Sequence, residues 1–264
     1  MVVPVVGGYG CVWFRGLIAI LCLAPYVVYR HLNGRVDRDL VVGGLTAGVA
    51  FTTGLLLQGI GTALTSASNS AFITGLNVLF VHVYVAIRAR KYTIYLLLSL
   101  ALSVAGLCIM ANPTSGASIG DLLVLAGSLA WAAQIVIVSK YSYADPLVFV
   151  FYEFVPSVAL ALPWYVEGGV LPDANALIYL LYLGVICSNV AFALQVIGQR
   201  YVLPSTAATV FLLEPPFASL FAYMILGETL SLNQLIGGSL IIAGLYLAIR
   251  GEEFLRKNQG IAMT

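Results

Sequence analysis

The chain alternates between long apolar stretches and short polar connections. A helix that crosses the hydrocarbon core of a bilayer needs roughly 20 mostly apolar residues. Nine stretches reach that length: 9–29, 40–60, 65–87, 93–111, 119–139, 146–166, 174–197, 204–226 and 232–250. The connections leave no room for a soluble domain, and their shortness predicts that neighbouring helices run antiparallel. Three helix starts are marked by their own chemistry. Ser118-x-x-Asp121 and Ser231-x-x-Gln234 read as capping boxes, and Asp145-Pro146 reads as a cap followed by proline in the first turn.

The basic residues test this count. Arg30, Arg35 and Arg38 fall in one connection, and Arg88, Arg90 and Lys91 fall two connections later. Lys140, Arg200, and then Arg250, Arg256 and Lys257 continue the alternation. If all nine stretches cross, these residues share one side. Asp121, Glu167, Asp173 and Glu228 lie at the opposite connections. Basic loops face the cytoplasm, which places the C-terminus inside and the N-terminus outside. Arg15 is the exception, because it lies within the first stretch.

Composition narrows the class. Of 264 residues, 61% are hydrophobic and only 9% charged, whereas soluble domains carry about 25% charge, so a soluble globular protein is excluded. A formal net charge of +1 argues against a nucleic-acid partner, which calls for a basic face. Cys11, Cys22, Cys108 and Cys187 all sit in apolar runs, without metal-ligand spacing or a disulfide framework. No phosphate-binding G-x-x-x-x-G-K-[ST] and no H-E-x-x-H occurs, and the serine of the one G-x-S-x-G, Ser118 within Gly116–Gly120, is the residue already read as a helix cap. Nothing therefore calls for a cofactor, a nucleotide-driven pump or an enzyme.

Two parts of the chain resemble each other. "VAFTTGLLLQ" (Val49–Gln58) matches "VAFALQVIGQ" (Val190–Gln199), and "SVAGLCIMA" (Ser103–Ala111) matches "IIAGLYLAI" (Ile241–Ile249) at nearly the same separation. Between these anchors, "SNSAFITGLNVLF" takes the place of "AATVFLLEPPFASLF". The matched spans run in opposite directions across the membrane, so the repeats are expected to be inverted, an arrangement common in transporters.

These residues carry a family resemblance. "LLEPPFASLFAYMILGETLSLNQLIGGSLIIAGLYLA" (Leu212–Ala248) resembles the closing segment of EamA-type members of the drug/metabolite transporter superfamily. The matching features are the Glu-Pro of the penultimate helix, Gly227-Glu228, Gln234 ahead of Gly237-Gly238, and Ala243-Gly244. "FRGLIAILCLAPYVVYR" (Phe14–Arg30) is similar to the second helix of that family, and "WAAQIVIVSK" (Trp131–Lys140) to its sixth. The resemblance implies an all-α membrane fold of ten helices in two inverted repeats of five, here with the first helix absent. Residues 1–111 would then form a four-helix first repeat, 112–251 a five-helix second repeat, and 252–264 a cytoplasmic tail. Either Met1 is internal to a longer gene, or the chain is a natural nine-helix variant, in which one wall of the central cavity is open or is filled by a second subunit, as in a homodimer. The implied function is a secondary transporter in the cytoplasmic membrane. It would export small organic metabolites such as amino acids or amphipathic amines. A passive facilitator or a non-transporting scaffold subunit is the alternative.

The polar residues inside the spans are the candidates for such a pathway. Glu214 falls about ten residues into its span, near mid-bilayer at 1.5 Å per residue, where an ionised acid costs about 2.5–3.5 kcal/mol even on the mildest scale. Pro215 and Pro216 remove two backbone donors. The carbonyls they free are tolerated only beside protein partners or a cavity. The segment therefore predicts a discontinuous helix on a pathway, or, more blandly, a protonated acid that shapes a kink. Glu153 is the second intramembrane acid, with Arg15 as the one base at similar depth. Helical spacing aligns Ser66, Asn69, Ser70, Asn77 and Tyr84 on one face. It aligns Ser188, Phe192, Gln195 and Gln199 on another, and Trp131 and Gln134 with Gly127 and Val138. Phe51 and Gln58 mirror Phe192 and Gln199. Polar stripes either line a cavity or join helices. The candidate substrate-pathway set is Glu214, Pro215, Pro216, Glu153, Trp131, Gln134, Asn69, Asn77, Phe192 and Gln195. Gly44-x-x-x-Gly48 and Ala126-x-x-x-Ala130 read as close helix crossings. Trp164, Tyr165 and Tyr179 read as interfacial aromatics and Glu228 as a structural helix end. His31 and His82 receive no role.

Overall fold

The structure is a computed structural model that describes residues 3–89, 92–113, 118–227 and 229–259. Arg90, Lys91 and Glu228, and the side chains of Trp164, Tyr165, Glu167 and Arg256, lie outside what it describes. All regular structure among the described residues is helical. Eight helical segments are long and apolar enough to cross a membrane, and Pro146–Leu162 is a shorter apolar helix beside them. The nine apolar stretches are thus nine helical segments, and the protein is an all-α, multi-span membrane protein.

Six helices carry one stretch each: α1 (Val3–Leu32), α2 (Arg38–Thr62), α5 (Ile94–Ala111), α6 (Ile119–Tyr141), α7 (Pro146–Gly168) and α12 (Leu232–Gln259). The other three stretches are interrupted. One consists of α3 (Ala67–Gly75) and α4 (Asn77–Tyr84), followed by a π-helical turn over Val85–Ala89. The second consists of α8 (Ala174–Gly184) and α9 (Ala191–Gly198), joined through a π-helical segment, Val185–Val190. The third is split into α10 (Pro204–Phe211) and α11 (Glu214–Leu226).

The break in the third follows from its prolines. Pro215 and Pro216 have no N–H to return to the preceding turn. The chain closes α10 with tighter bonds instead, Leu212 N to Thr209 O at 3.2 Å and Leu213 N to Val210 O at 3.0 Å, and restarts at Glu214. There the prolines occupy a first turn, whose donors lack intrahelical partners anyway. The α3–α4 break needs no proline. It falls at Gly75-Leu76-Asn77, where glycine and asparagine hold a helix weakly. Leu76 and Leu212 end their helices with nearly the same dihedrals, φ −64°, ψ −6° and φ −67°, ψ −5°.

The expected caps are present. Asp121 N donates to Ser118 Oγ at 3.1 Å while Ser118 N donates to Asp121 Oδ2 at 2.8 Å. Ser231 and Gln234 reproduce that reciprocal pair at 2.8 and 3.2 Å. Asp145 accepts from the Leu147 and Val148 amides.

The chain forms two compact units, and neither follows the halves of the sequence. The first comprises Met1–Gly59 and Val136–Arg200. In it α1 packs on α7 and α8. Glycines set the approach: a Cβ at Gly44 would lie 2.6 Å from Tyr152 Cβ, and one at Gly48 would collide with Glu153 O. Both glycines of the predicted close-crossing motif therefore face α7. Arg30 pairs with Asp145 at 3.1 Å, and Tyr26 donates to the same carboxylate at 2.8 Å, fixing the start of α7.

The second unit comprises Ile60–Ile135 and Tyr201–Thr264. Its largest interface joins α5 to α12. A Cβ on Gly106 would lie 2.5 Å from Gly237 O, and one on Gly237 would lie 2.5 Å from Gly106 O, so the two backbones touch. On α6 the close approach is made by Gly120 against Gly61 and Leu64. The expected crossing at Ala126 is corrected accordingly, because that residue is exposed. Gly106→Val should lower the thermal midpoint of the purified protein in detergent, since overpacking costs about 1–3 kcal/mol. Gly59→Ala, with nothing within 4 Å of its added methyl, should leave the midpoint unchanged or slightly raised.

Candidate functional site

The second unit contains an acid at a helix break. Glu214 opens α11 as an exposed residue, and it borders an open, mainly apolar depression of about 520 Å³ together with Val210, Phe211, Leu213, Phe217, Ala218 and Phe221. The Phe217 and Phe221 rings stack at 6.5 Å. Among the described residues the Glu214 carboxyl takes part in no hydrogen bond or ion pair. A lone carboxyl among aromatic rings can hold a proton, or can meet a cationic group whose apolar body contacts the rings. The carbonyl just beyond the break is provided for: Ser219 Oγ donates to Pro215 O at 3.0 Å and accepts from Gln234 Nε2 at 3.3 Å.

Near the same end of α10, at Thr209, His82 of α4 is almost completely buried. Its Nδ1 lies 2.7 Å from the Tyr92 hydroxyl and its Nε2 lies 3.4 Å from Thr209 Oγ1. Thr209 Oγ1 spends its own proton on Ser205 O at 2.9 Å, so it accepts from His82. This bonding assigns the proton to Nε2 and makes Nδ1 the acceptor for Tyr92 O–H. Tyr92 lies between spans, and burial pushes its phenol up to about 12, so it stays a donor throughout the neutral range. His82 thereby joins the two interrupted helices α4 and α10. Sequence reasoning passed over it; the available signal was an imidazole inside an otherwise apolar segment.

The first unit holds a cation in an aromatic cage. Arg15 of α1 is half-buried. Its Nε donates to Ser188 Oγ at 2.6 Å and its Nη2 to Cys187 O at 3.0 Å. The guanidinium carbon lies 5.6 Å from the centroid of the Phe51 ring and 5.8 Å from those of Phe154 and Phe192, within cation–π range. The three rings meet each other edge to face at 4.9–5.3 Å. The π-helical segment explains the partner carbonyl, because a π turn shifts the hydrogen-bond ladder by one residue and leaves local groups in need of partners. Ser188 Oγ donates to Leu183 O at 2.7 Å, and Asn189 Nδ2 reaches Ala19 O at 3.1 Å. Glu153, beside Phe154, is fully buried and attracts Arg15. Arg15 nevertheless directs its hydrogen bonds to α8 and α9's junction rather than into an ion pair.

The ten sequence candidates divide between the units. Glu153, Phe192 and Gln195 belong to the first, with Phe192 in the Arg15 cage. Glu214, Pro215, Pro216, Trp131, Gln134, Asn69 and Asn77 belong to the second. Gln134 is buried and Trp131 half-buried on α6. Asn77 opens α4 at its break, with its Oδ1 buried and lacking a hydrogen bond among the described residues. Asn69 is engaged at the start of α3, where its amide caps on Ser66 Oγ and its Nδ2 reaches Asp121 Oδ1 at 3.5 Å. Arg15 and His82 were outside the candidate set.

The family model for EamA-like transporters matches residues 118–250, half of the chain. The chain belongs to the EamA-like transporter family. An uncharacterized transporter of Archaeoglobus fulgidus is 29% identical over 238 residues, covering 90% of this chain and 84% of its own. A WAT1-related chloroplastic protein of Arabidopsis thaliana is 28% identical over 280 residues, covering 93% and 64%. A solved crystal structure shares the fold of this EamA-like transporter, with a TM-score of 0.67 at 14% identity over 92% of this chain and 98% of that one. Within the EamA-like fold, the His82 junction should be worth measuring by its parts. Tyr92→Phe removes one hydrogen bond and should cost about 1 kcal/mol. His82→Phe removes the bonds to both Tyr92 and Thr209, leaving Thr209 only its bond to Ser205 O, and should lower the thermal midpoint further.

Proposed function

We propose that this EamA-like transporter is a proton-coupled secondary exporter of small organic metabolites, amino acids or amphipathic amines, with its C-terminus in the cytoplasm. One observation carries the reading: the Glu214 carboxyl, unpartnered among the described residues, sits at an interrupted helix and borders an open depression lined in part by Phe211, Phe217 and Phe221. Interrupted helices near the midplane are where secondary transporters place substrate and ion sites. An intramembrane acid is costly unless it works or is neutralised. The sequence match between 40–111 and 174–250 supports an inverted repeat, and the α3–α4 and α10–α11 breaks fall inside its matched segments. The single-sided distribution of arginine and lysine supports the orientation. The aromatic lining suits a solute with an apolar body, and Glu214 suits a proton exchanged against it.

The test is transport by the purified protein in liposomes that contain a pH-sensitive dye, challenged with a panel of amino acids and amines. A solute on the panel should drive proton movement. In Glu214→Gln that movement should fall at least about tenfold, the factor that corresponds to 1.4 kcal/mol of lost interaction. Solute flux that is unchanged in the variant and moves no protons would make the protein a facilitator. A folded wild-type protein that moves nothing would favour the scaffold role.

A further inference from the structure

Arg15 and its cage lie within a span and are left unused by the transport reading, as is the fully buried Glu153 beside Phe154. Arg15 lies six residues into the apolar stretch 9–29, or ~9 Å along a helix rising 1.5 Å per residue. A guanidinium has five N–H donors in a fixed planar fork and is never deprotonated.

Two of those donors are committed. Nε–H is held by Ser188 Oγ and one Nη2–H by Cys187 O. Both bonds lie along one side of the fork. Both Nη1–H groups and the second Nη2–H remain, and these form the end of the fork. Arg15 makes no other hydrogen bond and no ion pair among the described residues. The three phenylalanine rings stabilise the cation without supplying a counter-charge. They also fix the plane of the fork and keep water from its faces. Arg15 is partly exposed, and a ligand here requires that this exposure include the end of the fork.

We propose that Arg15 is a carboxylate-binding site. It engages the two oxygens of a carboxylate with the end of its fork, while Phe192, the one partly exposed ring of the three, meets the apolar part of the same solute. Bidentate pairing with carboxylate is the interaction for which this geometry is suited. As a statement about what is carried, the inference rests on the transport reading and narrows its substrates to carboxylic acids, amino acids included, over plain amines. As a statement about binding it stands alone. Ser188 is a positioning residue, because it acts only through the orientation of the guanidinium.

The test is equilibrium binding to the purified full chain in detergent with three size-matched probes: 3-phenylpropionate, its neutral amide, and 3-phenylpropylamine. Wild type should bind the acid at least tenfold more tightly than the amide or the amine. Arg15→Gln should lose that preference. Arg15→Lys, which keeps the charge and loses the fork, should retain only part of it, and Ser188→Ala should weaken the acid without changing the amide. If Arg15→Gln does not fold, the Arg15→Lys protein decides by the same comparison of acid with amide. Equal binding of acid and amide by wild type, or an acid preference that survives in Arg15→Gln, would overturn the site. So would preferred binding of the amine, which would make the cage a cation receptor with Arg15 as its resident guest. Glu214→Gln separates this inference from the transport reading, since acid binding at Arg15 should persist there while proton movement is lost. Flux by wild type without acid preference would leave transport standing and remove the carboxylate site.

Discussion

In hydrocarbon no water is available to a backbone N–H or C=O, so each must find a partner within the protein. An uninterrupted helix meets that demand alone. This chain abandons the α-helical ladder within three of its nine apolar stretches, and near one break or π-helical junction in each a side chain takes up a carbonyl. Ser128 Oγ donates to Thr74 O at 3.2 Å beside the α3–α4 break. Arg15 donates to Cys187 O within the π-helical segment. Ser219 donates to Pro215 O after the α10–α11 break. Much of the polar chemistry inside the spans is therefore tied to irregular backbone.

That coupling places the polar groups that serve the backbone beside those proposed to act on a ligand or a proton. Ser128, Ser188 and Ser219 satisfy the backbone. Glu214 and the free end of the Arg15 fork do not; each keeps unused hydrogen-bonding capacity at an interruption. Charged groups without a local debt to discharge are costly in the membrane, and their retention points to a ligand or a proton. Around them the scaffold is stiff for simple reasons. Gly44, Gly48, Gly106 and Gly237 let helix backbones meet, and such contacts carry association where lipid is as apolar as the side chains.

Much of this was legible in the chain. The spans follow from length and apolarity, the capping boxes from local spacing, and the α10–α11 break from Pro215 and Pro216. The α3–α4 break was not, because Gly75-Leu76-Asn77 carries no proline and similar triplets pass through helices unbroken. Nor was the π-helical segment, whose sequence VICSNV looks like any apolar helix. The surroundings of Arg15 were out of reach for a different reason: Ser188 is 173 residues away, and only the folded unit brings Phe51, Phe154 and Phe192 around the guanidinium. His82 was hidden in the same way by its bond to Thr209, 127 residues distant.

The central claim is that the break before Glu214 opens onto an aqueous pathway rather than onto lipid. The direct measurement is thiol labelling at that position, in Glu214→Cys on a background with Cys11, Cys22, Cys108 and Cys187 replaced by alanine, using sealed membrane vesicles. The account predicts modification by a charged, membrane-impermeant reagent, slowed by a transported solute, with neighbouring Tyr223→Cys as the lipid-exposed comparison. Modification of position 214 only by lipid-soluble reagents, at the rate seen for position 223, would contradict it.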